Sequence, residues 1–311
     1  MSLAVDIGAL RLKNPLIAAS GTFGYGVEYE GVLDLSILGG LVSKGLYLEP
    51  RDGCATPRIV ETPSGLLNAI GLQGIGVRAF VADVMPALVR HDTAVIVNVC
   101  GDTVDEYAEV SRIASDAPGV AALEINISCP NVEKGGMAFG GDPKMTHEVV
   151  AAVRKATRLP VIPKLSPNVA DIAQFARVAE EAGADALSCI NTVLGLAVDV
   201  EKRRPRLAFG TGGLSGPAIR PIAVRMAWQA AQAVRIPVIG IGGISSAEDA
   251  LEFLIAGCRA VQVGTANFVD PGVYDRMLAG LTAYLQRHGL ADINAVVGTL
   301  ELGGSARGAA G

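Results

Sequence analysis

The sequence predicts an α/β protein of the (β/α)8 TIM-barrel class, with loop insertions on its active face. Three observations predict it: the length of 311 residues suits one barrel domain, eight short apolar runs recur, and helical spacing separates most of them. Alternating strands and helices are typical of parallel pairing. An open doubly wound sheet is the alternative, but no dinucleotide glycine fingerprint follows the first strand. We therefore expect one domain over 1–311, with a frayed tail at 303–311.

The predicted strands are apolar or β-branched, and polar residues or glycines lie at or near their ends. They cover residues 16–19, 41–43, 94–99, 122–127, 161–165, 186–190, 238–241 and 260–263. The predicted helices cover residues 77–90, 104–114, 146–157, 169–182, 218–234 and 247–256. Capping residues support these bounds, as where Ser246 precedes the last of these helices and Gly257 follows it.

Two segments do not fit the plain repeat of strand and helix. Residues 47–72 follow the second strand, and residues 194–216 follow the sixth. Ligand sites of barrels lie at the carboxyl ends of the strands, where insertions after strands also lie. The sequence therefore predicts that both segments are loops over the active face.

Composition and charge exclude several classes of protein. Half of the residues are hydrophobic, and 26 Lys and Arg against 31 Asp and Glu give a net charge of −5, with no basic footprint for nucleic acid. The N-terminus does not resemble a signal peptide, and no apolar run approaches the roughly 20 residues of a membrane span. We therefore expect a cytoplasmic protein that is not bound to a membrane.

The cysteines are odd in number, far apart and never in C-x-x-C spacing. This pattern argues against disulfides, against a zinc site and against an iron–sulfur cluster on this chain. No metal site is predicted, and a reducing compartment fits. The cysteines are Cys54, Cys100, Cys129, Cys189 and Cys258.

The strand ends predict a ring of polar residues around an apolar barrel. Gly242-Gly243 and Gly264-Thr265 follow the seventh and eighth strands, where barrels commonly bind phosphate through backbone N–H groups. Lys44 and Lys164 lie at two other strand ends, and a lysine at a barrel mouth indicates an anion or an electron-rich ring. The sequence therefore predicts a phosphorylated ligand.

Four asparagines also lie in this set. Each amide offers paired donors and acceptors, which suit a planar heterocycle that carries amide groups. Any one of them could instead cap a turn. They are Asn68, Asn98, Asn126 and Asn191.

Cys129 is the candidate for chemistry. It follows the apolar run at 120–125, and Asn126, Ser128 and Asn131 surround it, with glycines just beyond at 135–141. A lone cysteine is ordinarily a small buried hydrophobe. The polar neighbours favour a reactive thiol on a loop over a strand end.

These motifs together resemble class 1 dihydroorotate dehydrogenases, and the resemblance spans nearly the whole chain. The motifs occur in family order, each at a strand end or an active-face loop. They are Asn14-Pro15-Leu16-Ile17-Ala18-Ala19-Ser20-Gly21, Ser43-Lys44-Gly45, Asn68-Ala69-Ile70-Gly71-Leu72, Asn126-Ile127-Ser128-Cys129-Pro130-Asn131 and Gly212-Gly213-Leu214-Ser215-Gly216-Pro217.

The resemblance implies an FMN-dependent oxidation of dihydroorotate to orotate, in which Cys129 removes the C5 proton and hydride passes from C6 to N5 of FMN. The residues that the resemblance implies for FMN are Ser20, Lys44, Gly45, Asn98, Asn126, Lys164, Ile190, Gly216, Gly242, Gly243, Gly264 and Thr265. The last four of these would hold its phosphate. The dihydroorotate set is Lys44, Asn68, Ala69, Ile70, Gly71, Leu72, Asn126, Asn191 and Thr192.

Within class 1 the motif around Cys129 is most similar to the NAD-linked subclass, class 1B. That resemblance implies a homodimer of this chain, joined by a separate FAD and iron–sulfur subunit into a heterotetramer. A fumarate-linked class 1 enzyme and a dihydropyrimidine dehydrogenase subunit are the alternatives. From another class, a lyase without cofactor could use Lys44 or Lys164 as a Schiff base, and a binding scaffold is a third reading.

Overall fold

The computed structural model describes residues 1–127 and 141–302. Cys129 and the predicted tail at 303–311 lie outside the described residues. In chain order the strands are β1 (Val5–Ile7), β2 (Leu10–Leu12), β3 (Leu16–Ala18), β4 (Gly40–Val42), β5 (Ile59–Thr62), β6 (Gly65–Asn68), β7 (Ala94–Val99), β8 (Val120–Asn126), β9 (Val161–Leu165), β10 (Leu187–Cys189), β11 (Val193–Leu196), β12 (Val198–Asp199), β13 (Arg204–Pro205), β14 (Thr211–Ser215), β15 (Val238–Ile241) and β16 (Ala260–Val263).

Eight of these strands close into a parallel barrel, in the order β3, β4, β7, β8, β9, β10, β15, β16. The barrel closes where β16 pairs with β3, with Val263 opposite Ala18. Helices cover the outer face of the barrel strands and side chains fill the inside, so almost every strand residue is buried and most are apolar. The predicted (β/α)8 class and all eight predicted strands are confirmed, four with the predicted bounds and four with ends that differ by one or two residues.

The helices surround the barrel, and the six predicted helices are confirmed. The first is interrupted by a π turn at Phe80–Val84. The helices are α1 (Val77–Ala79), α2 (Met85–Leu88), α3 (Val104–Ser115), α4 (Pro143–Ala156), α5 (Ile172–Glu181), α6 (Arg220–Ala233), α7 (Ala247–Ile255), α8 (Ala266–Val269) and α9 (Val273–Arg287). No helix of the described ranges is long and apolar enough to cross a membrane.

Helix α9 was not predicted, although it is the longest helix of the described chain. Val273, Met277, Leu281 and Leu285 are buried along it at a spacing of four residues, and this pattern is visible in the sequence. The helix packs closely on α7, since a Cβ built on Gly280 would lie 2.4 Å from the Cβ of Ala247.

The prediction that 47–72 and 194–216 are plain loops is wrong in part. Both segments contain strands, and together they form a four-stranded antiparallel sheet in the order β11, β14, β6, β5. Leu67 faces Val60 on one neighbouring strand and Leu214 on the other. A small apolar cluster of Leu67, Ala69 and Leu207 lies apart from the barrel core and gives the sheet its own buried face.

The opposite end of the barrel is covered by the hairpin β1–β2, which the sequence analysis also missed. Its strands alternate buried and exposed residues, with Val5, Ile7 and Leu12 buried. A Cβ on Gly8 in its turn would lie 3.2 Å from the backbone oxygen of Asp185, just before β10. The hairpin therefore covers the amino ends of the barrel strands and leaves their carboxyl ends for the site.

Candidate active site

A cavity of about 420 Å³ opens at the carboxyl ends of the barrel strands, beneath the antiparallel sheet. Its size is within the usual range of ligand pockets, about 300–1,000 Å³. Of the described residues predicted for the site, all but Asn98 line it. These are Ser20, Lys44, Gly45, Asn68, Ala69, Ile70, Gly71, Leu72, Asn126, Lys164, Ile190, Asn191, Thr192, Gly216, Gly242, Gly243, Gly264 and Thr265.

Lys44 lies two residues after the end of β4, and its backbone N–H donates to the oxygen of Gly24 at 2.8 Å. Burial lowers the pKa of its ammonium below the ordinary value, and the nearby Arg58 lowers it further, against an opposing effect of Glu28. An anionic ligand in the cavity would therefore stabilise the charged form of Lys44.

Lys164 lies within β9 and is 6% exposed. Its Nζ lies 3.4 Å from Oε1 of Glu124, which is fully buried on the neighbouring strand β8. Glu124 was not predicted, although a carboxylate inside the apolar run of β8 is a visible signal. A charged residue in a strand that is buried on both faces has to face a polar partner inside the barrel.

Asn98 lies beneath the cavity rather than in its lining. Its Nδ2 donates to Oε1 of Glu124 at 2.8 Å, and its Oδ1 accepts from the thiol of Cys100 at 3.6 Å. Gly45 packs closely on this amide, since a Cβ on Gly45 would lie 3.1 Å from the same Oδ1.

One wall of the cavity is built from the predicted phosphate residues. Gly243 has a φ of 74°, and a Cβ there would lie 2.8 Å from the oxygen of Gly216 and 2.7 Å from the Cβ of Arg220. Main chain therefore packs directly on main chain at the start of the turn into α6. Thr265 donates from its hydroxyl to Ser215 at 2.8 Å on the same wall. Such a wall presents backbone groups and hydroxyls, which are the donors that bind phosphate.

Another part of the cavity lining carries amide groups. Asn191 donates from Nδ2 to Oδ1 of Asn126 at 3.4 Å and accepts from the N–H of Thr192 at 2.7 Å. Asn68 ends β6, and its Nδ2 donates to the oxygen of Gly213 at 3.1 Å. The turn after it is tight, because a Cβ on Gly71 would lie 2.4 Å from the sulfur of Cys54.

Asn168 also lines the cavity and was missed by the sequence analysis. Its Nδ2 donates to the oxygen of Thr192 at 3.2 Å, and its Oδ1 accepts from the N–H of Leu194 at 2.9 Å. It thereby fixes the chain that carries Asn191. No signal in the sequence separates it from an ordinary turn asparagine.

Asn126 marks where the chain leaves β8 beside the cavity. Its backbone oxygen accepts from the hydroxyl of Tyr107 at 2.7 Å, which ties the end of the strand to α3. Cys129 comes three positions later in the sequence and stays a prediction, since it lies outside the described residues.

The lining thus combines two lysines, four asparagine amides and the wall formed by Gly216, Gly242, Gly243 and Gly264, which we call the glycine wall. A planar heterocycle suits the amides, an electron-rich or anionic group suits the lysines, and a phosphate suits the glycine wall. The described residues therefore fit a ligand or a pair of ligands with all three groups.

Comparison with known proteins shows similarity over nearly the whole chain. The family model described as "Dihydroorotate dehydrogenase" matches residues 2–285. Proteins named "Dihydroorotate dehydrogenase B (NAD(+)), catalytic subunit" are similar over 96% of this chain. One from Geotalea uraniireducens is 54% identical over 98% of its own length, one from Trichlorobacter lovleyi 56% over 99%, and one from Geobacter sulfurreducens 56% over 98%.

Proposed function

We propose, from the premise that this chain belongs to the dihydroorotate dehydrogenase family, that it oxidises dihydroorotate to orotate in de novo pyrimidine biosynthesis. The electrons pass to NAD⁺ through a partner subunit. The observation that carries the proposal is the cavity in which both lysines, the amides and the glycine wall meet at the carboxyl ends of the barrel strands. The names of the similar proteins support the NAD-linked subclass over the fumarate-linked alternative.

The cofactor of the proposal is FMN, one per chain. Gly242, Gly243, Gly264 and Thr265 would hold its phosphate, and Gly216 packs against them in the same wall. The ring would lie against the residues around Lys44 and Lys164. When bound, FMN supplies the acceptor for the hydride that leaves C6 of dihydroorotate. Every remaining task, namely binding, orientation and removal of the proton, falls to backbone groups and side chains of this chain.

The substrate would occupy the amide side of the cavity. Asn126 and Asn191 already contact each other, and Asn68 with the turn to Leu72 closes the site from the sheet. Amide side chains pair with the amide groups of a dihydropyrimidine ring, and Lys44 supplies a cation for its carboxylate. Together they would orient C5 and C6 of the ring without a metal ligand.

The proton on C5 would go to Cys129, whose thiolate is the base of the proposal. This role rests on the motif that contains Cys129 and on the position of Asn126 beside the cavity. Removal of a proton from C5 and of hydride from C6 leaves the double bond of orotate. Both electron pairs and both hydrogens are thereby accounted for.

The purified protein tests the proposal through its colour. We expect a yellow protein that bleaches when dihydroorotate is added without oxygen and yields orotate in equal amount. A colourless protein that borohydride inactivates only together with a substrate would contradict the proposal and favour a Schiff-base lyase.

The partner of the proposal is an FAD and iron–sulfur subunit that docks on a homodimer of this chain in the cytoplasm. The words "catalytic subunit" in the names of the similar proteins support a partner. We expect the isolated chain to reduce NAD⁺ poorly, and a complex recovered from the native cell by pull-down to reduce it rapidly with dihydroorotate. Rapid turnover of the isolated chain with fumarate, with no flavoprotein recovered, would contradict the NAD-linked assignment.

The affinity for orotate is expected to weaken as the pH rises, and to do so at a pH below the ordinary pKa of a lysine. The pKa of Lys44 is lowered, so its ammonium is present below that lowered value and is lost as the pH rises through it. The loss removes a cation from the site and raises the dissociation constant of the anion. Titration of the flavin spectrum with orotate across alkaline pH measures this effect.

Lys44→Arg is the matched control for that titration. Its guanidinium stays charged throughout the range, so the alkaline loss of affinity should disappear. The same alkaline loss in Lys44→Arg would show that another group, and not Lys44, titrates.

A further inference from the structure

The centre of the barrel contains a buried carboxylate that the proposed reaction does not use. Glu124 is 0% exposed and accepts from four side chains. Oε1 accepts from Asn98 at 2.8 Å and from Lys164 at 3.4 Å. Oε2 accepts from Ser188 at 2.9 Å and from Gln262 at 2.5 Å. Four strands of the barrel, β7, β9, β10 and β16, thereby converge on one carboxylate of β8.

Lys164 connects this carboxylate with the cavity. The lysine lines the cavity and at the same time lies against Glu124, so its ammonium has an anion on the side of the barrel centre. The two charges are taken out of water together, with the lysine side chain 8% and the glutamate side chain 0% exposed. Charges at this separation are coupled strongly where water is excluded.

We propose that Glu124 is a positioning residue that acts as the counter-charge of Lys164 and thereby lowers the reduction potential of the flavin in the cavity. The inference rests on the proposed function, since it requires FMN. Transfer of a hydride adds two electrons, one proton and thus one negative charge to the ring. The ammonium of Lys164 favours that charge, and the carboxylate of Glu124 offsets the effect. The pair thus keeps the reduced flavin able to pass its electrons onward.

Glu124→Gln removes the charge and keeps the shape of the side chain. Oε1 of Gln262 is buried and has no hydrogen-bond partner among the described residues. A half-turn of the Gln262 amide would present this oxygen to the new NH₂ group, and the Ser188 hydroxyl can accept as well as donate. The four hydrogen bonds to the side chain at position 124 can therefore be kept after the substitution, with the Gln262 NH₂ group now in the place of the oxygen that had no partner. Charge is then the main change.

The test is the two-electron reduction potential of the FMN-loaded protein. We expect Glu124→Gln to raise the equilibrium constant for reduction about tenfold or more, which is about 30 mV or more for a two-electron couple. Asp185→Asn is the control, since it also removes one negative charge, from an ion pair with Arg154 at the amino end of the barrel. Its potential should equal that of the wild type.

A double-mutant cycle with Lys164→Met gives a second readout, in thermal unfolding. Lys164→Met leaves the carboxylate of Glu124 without this cation and should destabilise the protein strongly. Adding Glu124→Gln in that background should restore stability, whereas in the wild-type background it should lower it. A carboxylate that only accepts hydrogen bonds would give the same loss in both backgrounds.

The outcomes separate the inference from the proposed function. A wild-type protein that binds no FMN, or is not bleached by dihydroorotate, overturns both. A wild-type protein that is bleached, with an unchanged potential in Glu124→Gln, overturns the inference alone. If Glu124→Gln does not fold, recovery of folding in the double variant supports the charge pair, and its absence contradicts it.

Discussion

Replacement of Cys129 by alanine is expected to slow bleaching of the flavin by dihydroorotate about a hundredfold or more, which is the usual effect of losing a general base. The variant should still fold and hold FMN, as expected for a residue whose role is to take up a proton. Cys129→Ser should be intermediate or worse, since a hydroxyl gives up its proton less readily than a thiol. Stopped-flow absorbance under anaerobic conditions measures the rate.

Cys258→Ala is the control for removing a thiol. Cys258 is 0% exposed, and burial raises the pKa of its thiol well above the ordinary value, so it supplies no thiolate at neutral pH. We expect its bleaching rate to match the wild type. An unchanged rate in Cys129→Ala as well would remove Cys129 from the mechanism.

Replacement of Gly243 by alanine is expected to release most of the bound FMN and to destabilise the protein by about 2–5 kcal/mol. The left-handed backbone of φ 74° costs a side chain about 1–2 kcal/mol. Crowding of the new Cβ against Arg220 and the oxygen of Gly216 adds about 1–3 kcal/mol. The absorbance of the purified protein measures bound FMN, and denaturant unfolding measures the free energy.

Gly289→Ala is the control that separates the cost of the left-handed backbone from the cost of crowding by the new Cβ. Gly289 also has a positive φ, 64°, but a Cβ there would meet nothing within 4 Å, and the residue is remote from the cavity. It should cost about 1 kcal/mol and keep its FMN. If Gly243→Ala also kept a full complement of FMN, the proposed phosphate wall would be wrong.

The barrel was predictable because its signals are local. A parallel strand covered on both sides is a continuous apolar run, so β7, β8 and β9 are visible in the sequence without knowledge of their neighbours. The antiparallel sheet was not, because its pairing joins segments that are distant in sequence. The pairing of Leu67 with Leu214 depends on how β4 and β10 are placed by the barrel.

The residues of the site also fall into a group that could be predicted and a group that could not. Residues just after strands, such as Lys44 and Thr265, could be placed at the cavity because all eight strands end on one face. Within a strand, successive side chains point in opposite directions, and the sequence does not say which direction is inward. Asn98 was therefore predicted for the cavity but contacts Glu124 beneath it, and Glu124 was overlooked.

The antiparallel sheet also determines where this enzyme tolerates changes of length. Strand β6 leads straight into the Asn68 turn, and its ladder with β14 sets Asn68 opposite Gly213. Inserting or deleting one residue in either strand would turn every side chain beyond the change to the other face and displace the turn from the cavity. The hairpin β12–β13 belongs to a separate two-stranded sheet, so its tip at 200–203 is the place for a tag or a grafted peptide.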